Sequence, residues 1–131
     1  MKVARFEALE IWQLARALSK DIKTLTTDNL FEKDFRFRDQ IRAAGGSIMD
    51  NIAEGFERGG NKEFLQFLYI AKGSCGEVRS QNYRAFDFGY ISPEQHEKIN
   101  NQAIHLNVKI NNLIQYLRKS DFRGEKYHKM L

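Results

Sequence analysis

Histidine, cysteine and cationic side chains are the residues of this 131-residue chain that could do chemistry. In helical bundles a Glu-x-x-His pair places two metal ligands on one face of a helix. That spacing occurs once, at Glu125 and His128, close to the end of the sequence. His96 and His105 have no partner at ligand spacing. The pattern therefore predicts no metal site and no cofactor.

The single cysteine, Cys75, lies among small residues on an apolar helical stripe. A cysteine nucleophile needs a neighbouring base, and no histidine falls within two helical turns of it. We therefore expect a packed, unreactive thiol. Residues 59–62 are too few for a phosphate-binding loop, and no dinucleotide fingerprint occurs. The sequence thus indicates no catalytic residue and no small-molecule substrate, and we expect that the protein is not an enzyme.

Cationic side chains are the remaining candidates, since 21 lysines and arginines outnumber 17 acidic residues and the net charge is +4. A mildly basic surface is compatible with a polyanion such as RNA. Acidic residues are interleaved through the first half of the chain, so an ordinary solvated surface explains the pattern equally well. No groove-reading motif occurs, so we expect any binding to be to the phosphate backbone. The candidate nucleic-acid-binding residues are Arg36, Arg38, Arg42, Arg58, Lys62, Arg118, Lys119 and Arg123.

Four segments with apolar residues at a helical period must position these side chains. Gly59-Gly60 ends the second segment, Asn61 is expected to cap the third, and residues 92–95 form a capping box that begins the fourth. The predicted helices cover about residues 8–25, 36–58, 62–88 and 93–118, with a flexible tail over 119–131. Short connections predict an all-α, antiparallel up-down-up-down four-helix bundle, a single domain over residues 1–131.

Small residues cluster in the second and third predicted helices. A hairpin about Gly59-Gly60 sets Gly45 opposite Ser74, Gly46 opposite Gly73 and Ala43 opposite Gly76. An interior glycine costs roughly 0.5–1 kcal/mol relative to alanine, and close backbone contact would offset that cost. Glycines that are merely tolerated on a surface are the alternative. The expected helix-packing residues are Gly45, Gly46, Ser47, Asn51, Glu54, Gly73, Ser74 and Gly76.

Asn51 shares one helical face with Ser47 and Glu54. A buried amide without partners would cost roughly 1–3 kcal/mol, so we expect Asn51 to bond across helices or to a neighbouring backbone. A polar pin that fixes the helix register is the favoured interpretation, and a ligand-binding amide is the alternative.

The third predicted helix begins with apolar or aromatic residues around about 260° of its circumference, whereas packing in one bundle needs a stripe of little more than 100°. Part of the excess could pack beneath neighbouring aromatic residues. Otherwise an exposed patch of this size indicates an interface, and another copy of the chain is its simplest cover. We therefore expect a homo-oligomer whose interface includes Leu65, Phe67 or Tyr69.

Apolar runs are only a few residues long, so the sequence predicts no membrane-spanning helix. Glu7 and Glu10 interrupt the stretch that a signal peptide would need to be apolar. A single cysteine offers no disulfide pair. Together these features predict a cytoplasmic protein without a membrane partner.

The sequence also resembles a specific family, on motifs spread over about residues 6–117. The most specific block is Ser47-Ile48-x-x-Asn51-Ile52-Ala53-Glu54-Gly55, supported by Phe6-x-x-Leu9-x-x-Trp12-Gln13, Gln40-Ile41-Arg42-Ala43-Ala44, Lys62-Glu63-Phe64 and Gly89-Tyr90-Ile91. It is similar to the bacterial four-helix-bundle proteins linked to 23S rRNA intervening sequences. The same fold is similar to the accessory protein of diversity-generating retroelements. That likeness implies a basic pentamer that works beside a reverse transcriptase and binds nucleic acid.

Residues and resemblance together predict a non-enzymatic, homo-oligomeric bundle that binds RNA or a ribonucleoprotein through backbone contacts. The alternative is a protein-interaction scaffold, or an accessory subunit to an enzyme such as a reverse transcriptase, that does not itself bind RNA.

Overall fold

The computed structural model describes residues 3–122, and every regular element in that range is helical. A 3-10 turn at Phe6–Ala8 precedes five helices. These are α1 (Glu10–Leu25), α2 (Asn29–Lys33), α3 (Phe35–Glu57), α4 (Asn61–Asp87) and α5 (Pro93–Phe122). The all-α prediction is confirmed, and four of the helices are long. The five-residue α2 was not expected, and α5 continues four residues past its predicted end into the segment expected to be flexible.

Long-range hydrogen bonds show that neighbouring long helices run antiparallel. Asn61 on the first turn of α4 donates to the Leu117 carbonyl near the end of α5. Asn82 near the end of α4 donates to the carbonyl of His96 at the start of α5. In the same way, Arg42 of α3 reaches Thr26 just after α1. Helix α1 packs on α3 and α5, and α4 packs on the same two helices, which closes the four-helix bundle.

The core fills the space between the four long helices with aliphatic side chains at helical spacing. Ile22, Ile48, Leu68 and Ile110 contribute from α1, α3, α4 and α5 respectively, and each is almost completely buried. Phe31 of α2 is fully buried as well and stacks on Phe37, so the short helix closes one end of the bundle. We call this end, where α1 and α4 finish and α3 and α5 begin, the α2 end.

Local chemistry sets the helix boundaries largely as the sequence predicts. In the capping box Gln95 Oε1 accepts from the Ser92 backbone N–H, and Ser92 Oγ accepts from the Gln95 N–H. Gly59 follows α3 with φ +85°, the left-handed conformation that glycine adopts without strain. The predicted cap at Asn61 is wrong, because Asn61 is the first residue inside α4 and its amide bonds α5 instead.

The predicted glycine contacts between α3 and α4 are wrong. A Cβ atom added at Gly46, Gly73 or Gly76 would meet no atom of a neighbouring helix within 4 Å among the described residues. Gly45 faces α1, where an added Cβ would lie 2.8 Å from Ile22 Cδ1. The error has a simple cause: equal height along two helices does not fix the direction of a side chain, and Gly46 is rotated about 100° from Gly45.

The true close approach of α3 to α4 lies at Gly55, which the packing prediction did not include. A Cβ atom there would lie 2.5 Å from Phe67 Cβ and 3.1 Å from Phe64 Cδ1. Ser47 and Ser74 bond across the same interface, whereas Glu54 is exposed and pairs with Arg58 on its own helix. Glu54 is therefore not a helix-packing residue. Within residues 3–122, no helix combines the length and apolar content needed to cross a membrane.

Candidate nucleic-acid interface

The predicted cationic residues divide between the two ends of the bundle. Because α3 begins at the α2 end and finishes beside the turn into α4, Arg36, Arg38 and Arg42 lie far from the other candidates. Arg58, Lys62, Arg118 and Lys119 lie at the opposite end, which the bond from Asn61 to Leu117 brings together. Arg123 lies outside the described residues, as do Glu125 and His128. The sequence prediction therefore covers two separate surfaces.

At the α2 end, two of the three predicted arginines have structural partners. Arg42 donates from Nε to Thr26 Oγ1 at 2.7 Å and from Nη2 to the Thr26 carbonyl at 3.2 Å. It thereby binds the C-terminal end of α1, where a cation is favoured by the helix dipole. Arg38 pairs with Asp39 at 3.0 Å and lies over the ring of Phe35. Arg36 is exposed.

Arg42 also lines an open groove between α1 and α3. The groove has a volume of about 540 Å³, and its lining residues are Ser19, Lys20, Lys23, Thr24 and Arg42. We call these five residues the basic groove. Three of them are cationic, two carry hydroxyl groups, and there is no carboxylate among them. Such a surface is suited to phosphate oxygens, which accept from ammonium, guanidinium and hydroxyl donors alike.

Aromatic rings fill the rest of the α2 end. Phe37, Phe88 and Tyr90 contact one another, and the guanidinium carbon of Arg84 lies 4.4 Å from the centroid of Phe37. The Tyr90 hydroxyl donates to Asp34 Oδ2 at 2.8 Å, and this bond raises the pKa of the Tyr90 phenol. These rings present both buried and exposed aromatic surface beside the cationic residues.

At the opposite end, two of the four described candidate cations have structural partners. Arg58 pairs with Glu54 at 2.9 Å and lies over the ring of Phe67. Arg118 donates to the Tyr69 hydroxyl at 3.1 Å. Lys62 and Lys119 are exposed. This end therefore carries exposed positive charge as well.

The interior holds the one thiol. Cys75 is fully buried, and its Sγ donates to the Ala103 carbonyl of α5 at 3.1 Å. Burial raises the pKa of this thiol from 9.0 to about 11, so it is protonated at neutral pH. Among residues 3–122, no three histidine, cysteine or acidic side chains come close enough together to hold a metal ion.

With this geometry in place, comparison with known proteins identifies the family. The sequence profile of the 23S rRNA-intervening sequence proteins matches residues 7–112. The chain belongs to the 23S rRNA-intervening sequence protein family. No curated protein matches it.

A solved structure has a similar fold. The crystal structure of a protein of unknown function from the S23 ribosomal protein family of Bacteroides thetaiotaomicron superposes with a TM-score of 0.75, at 25% sequence identity. The match covers 80% of this chain and 95% of that one. The two proteins therefore share the helical-bundle fold.

The basic groove of this 23S rRNA-intervening sequence protein includes two residues that sequence reasoning missed, Lys20 and Lys23. A signal was present, because Arg16, Lys20 and Lys23 follow one another at spacings of four and three residues and so share one side of α1. The sequence did not show that Arg42 is their neighbour, because only the packing of α1 on α3 places these lysines beside it.

Proposed function

We propose that this 23S rRNA-intervening sequence protein is a non-enzymatic, homo-oligomeric protein that binds RNA through phosphate-backbone contacts at the α2 end. The observation that carries the proposal is the basic groove, where Lys20, Lys23 and Arg42 converge without a carboxylate among the lining residues. Helices α1 and α3 fix the backbone positions of these residues, and two hydrogen bonds to Thr26 orient Arg42. The net charge of +4 is favourable for association with a polyanion.

Salt dependence tests RNA binding directly. Affinity for RNA should fall between about 50 and 200 mM salt, with a log–log slope of about −0.7 per phosphate neutralised on single strands. RNAs of different sequence should bind with similar affinity, because contacts to the phosphate backbone do not distinguish the bases. Fluorescence anisotropy with two labelled RNAs of unrelated sequence measures both properties. A protein that binds neither RNA at the lowest salt concentration would overturn this part of the proposal.

A second copy of the chain is the proposed cover for an exposed apolar face on α4 and α5. Tyr69, Ile70, Tyr83, Ile104 and Val108 lie on it, each between 38% and 50% exposed. We call these five residues, with Gly73 and Gly76, the outward face. Positions 69, 73, 76 and 83 recur at helical spacing on α4, and the bond from Cys75 to Ala103 sets Ile104 beside them.

The outward face is the apolar part of a larger surface that α4 and α5 offer. Two adjacent helices of about 40 Å length and about 20 Å combined width offer on the order of 800 Å², the area that each partner buries in a standard complex. Of the interface residues expected from sequence, Tyr69 is half exposed. Leu65 and Phe67 are partly buried inside the bundle, against the core and against Gly55 respectively. The proposed interface is therefore centred on α4 and α5 around Gly73 and Gly76.

Native mass spectrometry tests the assembly. The wild-type protein should be an oligomer at micromolar concentration, and the family resemblance favours a ring of five. Ile70→Glu with Val108→Glu should dissociate it, because burying two carboxylates in an apolar contact is costly. Leu30→Glu is the matched control, since Leu30 is 59% exposed but lies at the α2 end. A wild-type monomer would overturn the interface, and a dimer would overturn only the ring.

The scaffold alternative has one observation in its favour. Leu30, Phe35 and Phe88 are all more than half exposed at the α2 end, and exposed apolar side chains also suit a protein partner. The same RNA titration separates the two functions. Absence of RNA binding at low salt would favour a scaffold or accessory subunit over the RNA-binding function.

A further inference from the structure

Phe35 lies on the same side of α3 as the basic groove. It precedes Arg42 by seven residues, which is two helical turns, so the two side chains begin about 10 Å apart on one edge of the helix. Phe35 is 63% exposed, the highest value among the large hydrophobic residues described. The guanidinium carbon of Arg38, one turn along, lies 5.0 Å from the centre of the ring. An exposed ring beside a cation is thus aligned with the groove.

Burial in the core does not explain an aromatic residue at position 35. A residue so exposed gains little from burial, and an apolar surface of that size in water is unfavourable. By contrast, Phe37 on the same helix is buried among other rings. The position of Phe35 is instead suited to a flat ligand, because nucleic-acid bases stack on exposed aromatic rings and on arginine planes.

Two acidic residues close to Phe35 in the chain, Asp34 and Asp39, have hydrogen-bonding partners. Asp39 pairs with Arg38 at 3.0 Å. Asp34 accepts from the Tyr90 hydroxyl and from the backbone N–H of Phe37. Neither carboxylate lines the basic groove. A phosphate in the groove would therefore meet Lys20 and Lys23, together with the Arg42 donors that Thr26 does not occupy, since a guanidinium carries five.

We infer that the basic groove and Phe35 together form a binding site for single-stranded RNA, in which the groove takes the phosphodiester backbone and Phe35 stacks one base. The inference rests on the proposed RNA-binding function and names the form of RNA that is bound. A duplex is excluded from this mode because its bases already stack on one another and cannot reach the ring. A single strand can turn one base onto Phe35 while its phosphates remain in the groove.

Binding of a fluorescein-labelled, mixed-sequence 20-nucleotide RNA, measured by anisotropy, tests the site. Phe35→Ala should weaken binding by about 5- to 150-fold, the range that base–aromatic stacking supports. The same substitution should leave binding of an abasic oligonucleotide of equal length unchanged. Lys20→Gln with Lys23→Gln should make the log–log salt slope shallower by about 1.4, since each lost phosphate contact contributes about 0.7.

Matched control variants test whether the effects are specific to Phe35 and the basic groove. Leu30→Ala removes another exposed apolar side chain at the same end, and Lys62→Gln with Lys119→Gln removes two exposed cations at the opposite end. Both controls should bind RNA as the wild type does. All the substituted side chains are exposed, so the variants are expected to fold, and circular dichroism checks this.

The outcomes separate this inference from the proposed function. If the wild type binds RNA and the Phe35 and lysine variants bind equally well, the site is wrong while RNA binding stands. If a duplex binds as tightly as the single strand, stacking on Phe35 is overturned. If the wild type binds no RNA at low salt, the proposed function fails and the inference fails with it.

Discussion

The hydroxyl oxygens of Ser47 and Ser74 lie 3.0 Å apart across the interface of α3 and α4. Asn51, one turn further along α3, donates from Nδ2 to the Ser47 carbonyl at 2.7 Å and to Ser47 Oγ at 2.9 Å. Because Ser47 Oγ accepts from the amide, its own hydrogen is available to Ser74. The three side chains therefore form one hydrogen-bonded chain that links the two helices.

Removing the hydroxyl group of either serine should break these hydrogen bonds and destabilise the fold. We expect Ser47→Ala and Ser74→Ala each to lower the free energy of unfolding by about 1 kcal/mol. The double variant should lose less than the sum, because the second substitution removes a bond that is already broken. Urea unfolding measures all three variants. Ser80→Ala, an exposed position on α4, is the control and should change little, whereas additive effects at 47 and 74 would contradict the shared bond.

Two glycines of α3 should respond to alanine in opposite directions. Gly55→Ala should destabilise by about 1–3 kcal/mol, because the new methyl group would overlap Phe67. Gly46→Ala should stabilise by up to about 1 kcal/mol, because the added Cβ meets open space and alanine is the better helix former. Thermal unfolding of the two variants gives the comparison. Destabilisation by Gly46→Ala would instead support the close helix contact that the sequence predicts at this residue.

Arg42 should matter for stability apart from any ligand. Arg42→Lys keeps the charge but loses the paired bonds to Thr26, so we expect a loss of about 1 kcal/mol in the free energy of unfolding. Arg42→Met should lose about 2 kcal/mol, since a bond from a charged donor is worth about 1.5–3 kcal/mol. Arg36→Lys, at an exposed position of the same helix, is the control. Chemical denaturation without RNA measures the difference, and equal stability of wild type and Arg42→Met would refute the capping role.

The buried thiol predicts a dependence of stability on alkaline pH. Burial raises the pKa of Cys75 from 9.0 to about 11, so the folded state holds this proton more tightly than the unfolded chain. The resulting stabilisation is complete below pH 9.0 and is lost as the pH rises towards about 11. The serine hydroxyl at position 75 in Cys75→Ser does not titrate in this window, and the other titrating groups are common to both proteins. Between these pH values the free energy of unfolding of the wild type should therefore fall more steeply than that of Cys75→Ser, and parallel curves would contradict the raised pKa.

The long helices could be predicted from sequence, but α2 and the basic groove could not. Periodic apolar positions and the capping box at Ser92 are local sequence features, so they predict the long helices without knowledge of any tertiary contact. Helix α2 has five residues, too few for a period to show, and its buried Phe31 gave no signal of its own. The groove requires Lys23 and Arg42 to meet across α1 and α3, which neither segment encodes alone.

The sequence by itself determined the fold class, most helix ends and the family, because these follow from local periodicity, capping chemistry and motif residues. Only the tertiary structure decided which way each side chain faces. Rotation of α3 about its axis turns Gly45 onto Ile22 and leaves Gly46 in open space. The same rotation places Arg42 where it donates a hydrogen bond to Thr26 and lines the groove. That rotation is set by the packing of all four helices at once, so it cannot be derived from any one of them.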